Sequence, residues 1–274
     1  MEKDRDINQY AISFKYQLLS YIRTKRFIAL VIFSLAVSIL VTVLTFHIEY
    51  SLLKKENSAK YMNSYLSPFF IDIVVIVAAF FGGDLISTDT GTNSAYYILV
   101  QPVKRYILFM GKYTAALISS FIIVFIYVIV GYIGSFYLYG NLTNLVGKSL
   151  LMTLLFIAGT LMLAGFFSSV FKSSTVGIIA SILILIIVFP VISTVLGSLE
   201  GIDPYFLITS AGSAAYLVFQ KPYPAAKVVS HVTPHIKTYT FNPTYYQGIE
   251  VALLYLIIFS ILAILIYSRR QIEG

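Results

Sequence analysis

The sequence of 274 residues contains no cysteine, so disulfides and thiolate metal sites are excluded. It is also poor in charge. Charged residues make up 11% of the chain, against about a quarter in a soluble domain, while 58% are hydrophobic and the mean hydropathy is +0.86. That deficit places the chain among polytopic membrane proteins and leaves little length for a soluble domain. The net charge of +7 would suit a nucleic acid. The basic residues stand beside apolar runs, however, as loop charges that set membrane topology do, so the expected partner is lipid and not nucleic acid.

Further absences narrow the function. Gly147-Lys148-Ser149 matches the end of a phosphate-binding loop, but Leu142 stands where its first glycine should be, and no nucleotide site is expected. The deep interiors of the apolar runs hold no acid, which argues against an ion-coupled pump. They hold no nucleophile–base–acid set either, so the chain does not read as an enzyme. His231 and His235 have the i, i+4 spacing of a helical metal pair. Pro234 lies between them and no carboxylate is near in sequence, so they read as two unrelated loop histidines, and no metal or other cofactor is expected in this chain.

What is present is a series of apolar spans. Residues 7–23 put Ile7, Tyr10, Phe14, Leu18, Tyr21 and Ile22 at helical spacing, with Asn8, Gln9, Ser13, Lys15 and Gln17 off the stripe. This predicts a helix lying in the membrane interface, the alternative being a solvated helix packed on a partner. Spans follow at about 27–46, 64–83, 113–139, 146–171, 174–196 and 249–268, each long enough to cross about 30 Å of hydrocarbon. The first is too long and starts too late for a signal peptide. Arg23, Lys25 and Arg26 before it, and Arg269-Arg270 after the last, put both termini in the cytoplasm. Asp72 and Glu250 fall near the outer ends of their spans, where an acid costs less than at the bilayer centre. They are expected to pair with loop lysines or stay hydrated. Gly140 to Asn144 supplies an outer turn. Pro190 kinks or ends the fifth span. Residues 197–248 form a long outer segment whose stretch 205–219 could dip into the membrane. The expected fold is all-α, with six transmembrane helices.

The longest polar, turn-rich segment of the first half, residues 82–112, carries the remaining chemistry. Asp84 and Asp89 are acids on the inner side. Gly91 permits unusual backbone geometry, and Thr92 can cap a short helix. Tyr96, Tyr97 and Leu99 then lie on a cytoplasmic helix whose apolar surface needs a cover. Pro102 ends it. Lys104, Arg105 and Lys112 face headgroups or a partner's acids. The alternative is a loop packed on its own bundle.

This segment resembles that of the membrane subunits of ABC transporters of the ABC-2 type. The shared pattern is an acid, Gly-Thr, an apolar helix, Pro-Val-x-Arg and Gly-Lys: here Asp89, Gly91-Thr92, residues 96–100, Pro102 to Arg105 and Gly111-Lys112. An aspartate stands where glutamate is commoner, and the gap before Gly-Thr is shorter. The resemblance extends to the whole chain, which then reads as one transmembrane permease domain, residues 1–274. It implies an exporter made of two permeases, either identical copies or sister subunits. Two separate ATPase subunits would hold ATP and Mg, and the 84–112 segment would be the coupling helix. A secondary transporter or a membrane-embedded assembly factor is the competing class. The former should show intramembrane charges and paired broken helices, and the latter a polar cluster.

Overall fold

The computed structural model describes residues 2–53, 57–87, 104–233 and 236–269. Helix α1 is Glu2–Arg23 and α2 is Lys25–Leu53. Between them Thr24 turns the chain. Its hydroxyl donates to the Tyr21 carbonyl at 2.7 Å and accepts the Phe27 amide at 3.3 Å, which serves one of the amides that a helix start leaves unpaired. Helix α2 runs seven residues beyond the expected end at 46, and α3 (Ser58–Leu66) starts six before 64. Asn57 caps α3 by accepting the Lys60 amide at 2.9 Å.

The second span is not one helix. Helix α3 and helix α4 (Phe70–Gly82) meet at a 50° bend across Ser67, Pro68 and Phe69. Pro68 is the cause: it has no amide to give the preceding turn, and its ring crowds that turn. The break frees carbonyls inside the bundle, and a tyrosine pair serves one of them. Tyr127 donates to the Tyr65 carbonyl at 2.8 Å while Tyr65 donates to the Tyr127 carbonyl at 3.0 Å, their rings stacked at 5.0 Å.

Helix α5 is Arg105–Tyr139, so it begins eight residues before the expected 113. The apolar residues Ile107 and Phe109 are buried and continue the span backwards. Gly111 costs a helix roughly 1 kcal/mol, but here its bareness is used. A Cβ on it would lie 2.8 Å from that of Ser13, so α1 could not approach. Helix α5 ends at Gly140, whose φ of +65° favours glycine and whose amide returns to the Phe136 carbonyl at 2.8 Å. Helix α6 is Val146–Val170.

The fifth span changes its winding. Helix α7 (Ser174–Ile182) passes into a π-helical turn (Leu183–Val188), then α8 (Phe189–Ser193), then a second π-turn (Thr194–Leu199). Pro190 sits between the two widened turns, where its missing amide and its ring are accommodated. Short helices α9 (Ile208–Gly212) and α10 (Ala214–Leu217) follow, with Ile208, Ala211, Ala214 and Ala215 wholly buried. The stretch 205–219 therefore enters the bundle as two helical turns instead of lying on it.

The fold is helical throughout but for one element among the described residues. An antiparallel hairpin, β1 (Lys227–Thr233) with β2 (Ile236–Phe241), stands in the long segment before the last helix. Its two runs are rich in β-branched and aromatic residues, which favour a pleated ribbon. Helix α11 (Tyr245–Arg269) starts at a reciprocal cap: Thr244 donates its amide to Gln247 Oε1 at 2.9 Å and accepts the Gln247 amide at 3.3 Å.

Five of these helices are long and apolar enough to cross a membrane, and the bent pair brings the number to six, among the described residues. Helix α4 lies against α5 and α6, α11 runs along α6, and α1 runs along α5. The buried centre holds Phe70, Val74, Tyr127, Phe156 and Leu161. Helix α2, the fifth span and α11 expose isoleucine-rich outer faces, including Ile32, Ile39, Ile187, Ile257 and Ile261. Such surface fits hydrocarbon and not water, and the chain is a membrane-embedded, multi-pass helical protein.

Candidate functional site

The bundle has two chemically distinct ends. The first gathers α1, the end of α4, the start of α5, the start of α7 and the end of α11. Its centre is Asp84, in the turn after α4. Arg26 Nη1 lies 3.3 Å from Asp84 Oδ2, and the Ser174 hydroxyl donates to Oδ1 through a very short contact. This joins α2, α4 and α7 through one carboxylate. Immediately beyond, Leu85, Ile86 and Ser87 are buried. Ser168 of α6 accepts the amides of Ile86 and Ser87 at 2.9 and 3.0 Å, so the chain leaves α4 held to α6.

The chain re-enters with two further ties. Lys104 Nζ is 2.7 Å from Asp6 of α1. Arg105 Nη1 donates to the carbonyls of Tyr267 and Ser268 at 3.0 and 3.2 Å, and its guanidinium lies 5.9 Å from the Tyr267 ring centre. A cation is favoured there because the last carbonyls of α11 carry the negative end of its dipole. Lys104 and Arg105 thus make contacts within the chain while remaining partly exposed. Gly111 and Lys112 lie inside α5, not at the close of a loop. Asp89, Gly91, Thr92, Tyr96, Tyr97, Leu99 and Pro102 lie outside the described residues.

Helix α1 is held by its partly polar face. Tyr10 donates to Thr114 Oγ1 at 2.9 Å and Ser13 to the Leu108 carbonyl at 3.2 Å, while Phe14 and Leu18 pack on the core. Ile7, Ile12, Leu19 and Ile22 are exposed instead, next to exposed Lys15 and Arg23. Ile7 and Ile22, on the stripe expected to meet the membrane interface, are thus exposed, while Tyr10 and Ser13 hold the helix to α5.

The second end gathers the α3–α4 break, the Pro190 region, α9, α10 and the hairpin around a cavity of about 460 Å³. Asp72 and Asp203 line it together with hydroxyl groups and the rings of Tyr205, Tyr216, Tyr239 and Phe241. Burial pushes the Asp203 carboxyl above the usual carboxylate range, with the Tyr205 backbone amide working against that shift. The hairpin is fastened by Tyr223, which donates to the Pro243 carbonyl at 2.6 Å, and by Asn242, whose amide reaches the Ala226 carbonyl at 3.0 Å. Nothing in the sequence pattern joined Asp72 to Asp203, which are brought together only because the second span breaks and the outer segment folds back. Glu250, the other acid near a span end, is exposed on α11 and takes no part.

His231 lies in β1, and His235 lies outside the described residues. Among the described residues no three metal-ligating side chains converge. No protein-family model matches the chain, and no curated protein matches it.

Proposed function

We propose that the chain is the membrane-spanning permease subunit of an ABC-2 type ABC transporter. In this reading it exports a substrate using ATP hydrolysed, with Mg, on a separate ATPase subunit docked on the 84–112 segment. The Asp84 end faces the cytoplasm with both chain termini, α1 lies in the inner interface of the cell membrane, and the hairpin end faces outward. A second permease, either a copy of this chain or a sister subunit, completes the transport path.

The observation that supports the reading most is the way the 84–112 segment is fastened at its two ends. Asp84 ties its entrance to α2 and α7, Ser168 ties it to α6, and Lys104 and Arg105 tie its exit to α1 and α11. A push delivered to this segment from below would reach four of the six spans at once. A loop with only a connecting role needs no such set of ties. The exposed apolar face of α1, bordered by Lys15 and Arg23, suits the headgroup boundary.

The test expresses the full chain in its own host and recovers any ATP-binding subunit by pull-down. Tyr97→Asp and Leu99→Asp should leave insertion and folding intact, lower recovery of the ATPase subunit in pull-down, and lower ATP-dependent transport with it. Normal ATPase recovery and normal transport in both variants would overturn the coupling role.

A further inference from the structure

The cavity at the hairpin end has a composition that selects for charge. Among the described residues its wall holds two carboxylates, Asp72 and Asp203, and no lysine or arginine. Neither acid has an ion-pair partner among the described residues. Asp72 sits three residues after the cap of α4, exposed into the cavity, where water or a bound cation can balance its charge. The positive end of the α4 dipole offsets part of one charge and none of the charge on Asp203, which stands on a different segment.

The rest of the wall is suited to a bulky cation. Tyr205, Tyr216, Tyr239 and Phe241 contribute aromatic rings, whose faces attract positive charge. Two of these rings already do so: the Lys227 ammonium, which is not part of the lining, lies 4.4 Å from the Tyr239 centroid and 5.3 Å from that of Phe241. A volume of about 460 Å³ is within the range of small-molecule sites, roughly 300–1,000 Å³. The wall is also built from elements that depart from regular geometry, namely the Pro68 break and the two π-turns flanking Pro190, and widened turns of this kind recur at functional positions.

We propose that this cavity binds an organic cation with an apolar, aromatic-compatible body, and that Asp72 and Asp203 supply the charge that selects it. The proposal names the substrate class for the permease reading and rests on that reading only for the step of export. Binding itself is a property of this chain alone.

The experiment therefore uses the purified full chain in lipid nanodiscs, without ATP or any partner. The probes are tetraphenylphosphonium and tetraphenylborate, which share a shape and differ in sign. Equilibrium dialysis should show saturable binding of the cation to the protein, above its partition into empty nanodiscs. Asp72→Asn with Asp203→Asn should weaken it by about tenfold or more. Retention of tetraphenylborate should be the same for the two proteins. In an otherwise native chain, a single cysteine at Thr240 on the cavity wall should be alkylated more slowly in the presence of the cation but not of the anion. This second measurement holds even if the double variant does not fold. Cation binding that is absent, or equal in the native chain and a folded double variant, would overturn the proposal, as would a Thr240→Cys rate indifferent to the cation. Positive binding without ATP-driven transport would instead count against the permease reading and leave the site standing.

Discussion

At the scale of single residues, the structure changes what Arg105 does. In the sequence it is one of three basic residues after Pro102, and a headgroup contact is the simple expectation. In the fold it donates to two carbonyls in the last described turn of α11. Removing it takes a charged donor away from those carbonyls. A hydrogen bond from a charged group is worth about 1.5–3 kcal/mol when buried, and Arg105 is half-exposed, so about 1 kcal/mol is the expected cost. Arg105→Gln should lower the midpoint of thermal unfolding in detergent by a few degrees, followed by circular dichroism at helix wavelengths. Raised salt should change the difference little, because short hydrogen bonds do most of the holding. A difference that vanishes at high salt would return Arg105 to the surface role that the sequence suggests.

At the scale of elements, the broken second span shows how a sequence can conceal its own geometry. The apolar run 69–82 is plain to read, and so is the helix that it makes. The preceding α3 is neither apolar nor long, yet Tyr61, Met62 and Tyr65 are wholly buried. Tyr65 is matched with Tyr127, more than sixty residues away, a pairing that leaves no local trace. The Tyr65–Tyr127 exchange tests this. Tyr127→Phe leaves the Tyr65 carbonyl, freed by the Pro68 break, buried and unsatisfied, at a cost of about 1–3 kcal/mol. Tyr65→Phe exposes a lesser need, because the Tyr127 carbonyl sits within a continuous helix. The double variant should cost measurably less or more than the sum of the two singles, since the rings also stack. Simple additivity in detergent unfolding would mean that the two hydroxyls act independently. Long apolar periodic runs, the glycine turn at Gly140 and the basic residues at helix ends were all legible in the sequence. The hairpin has a signal in the β-branched runs flanking Pro234, but the prolines and tyrosines around it give that segment the pattern of a loop. The meeting of Asp72 with Asp203 had no signal at all: it depends on a bend at Pro68 and a return of the outer segment, both tertiary events.

At the scale of the whole molecule, the open question is which end faces the cytoplasm, and the structure makes it a single binary choice. Asp84, Ser173 and Arg269 belong to one end, while Asn144, the cavity and the hairpin belong to the other. The ties at the first end run through Arg26–Asp84–Ser174 and Arg105–α11, and those at the second through Ser58–Ser135 at 2.8 Å and Tyr245–Lys148 at 3.1 Å. Reversing one end without the other would tear apart helices that share a buried core. Basic residues flank the first end at Arg23, Lys25, Arg26, Lys172 and Arg269, and translocating them is disfavoured. The absence of native cysteine makes the orientation directly measurable. Ser58 is a poor probe despite its place near a loop, because it is buried against Ser135. Asn144, Ser230 and Ser173 are exposed. Single cysteines at Asn144 and Ser230 should react with a membrane-impermeant maleimide in intact cells, and one at Ser173 should react only after the membrane is opened. The opposite pattern would place Asp84 and the 84–112 segment outside, beyond reach of any ATP-hydrolysing partner, and would remove the permease reading while leaving the helical fold and the cavity unchanged.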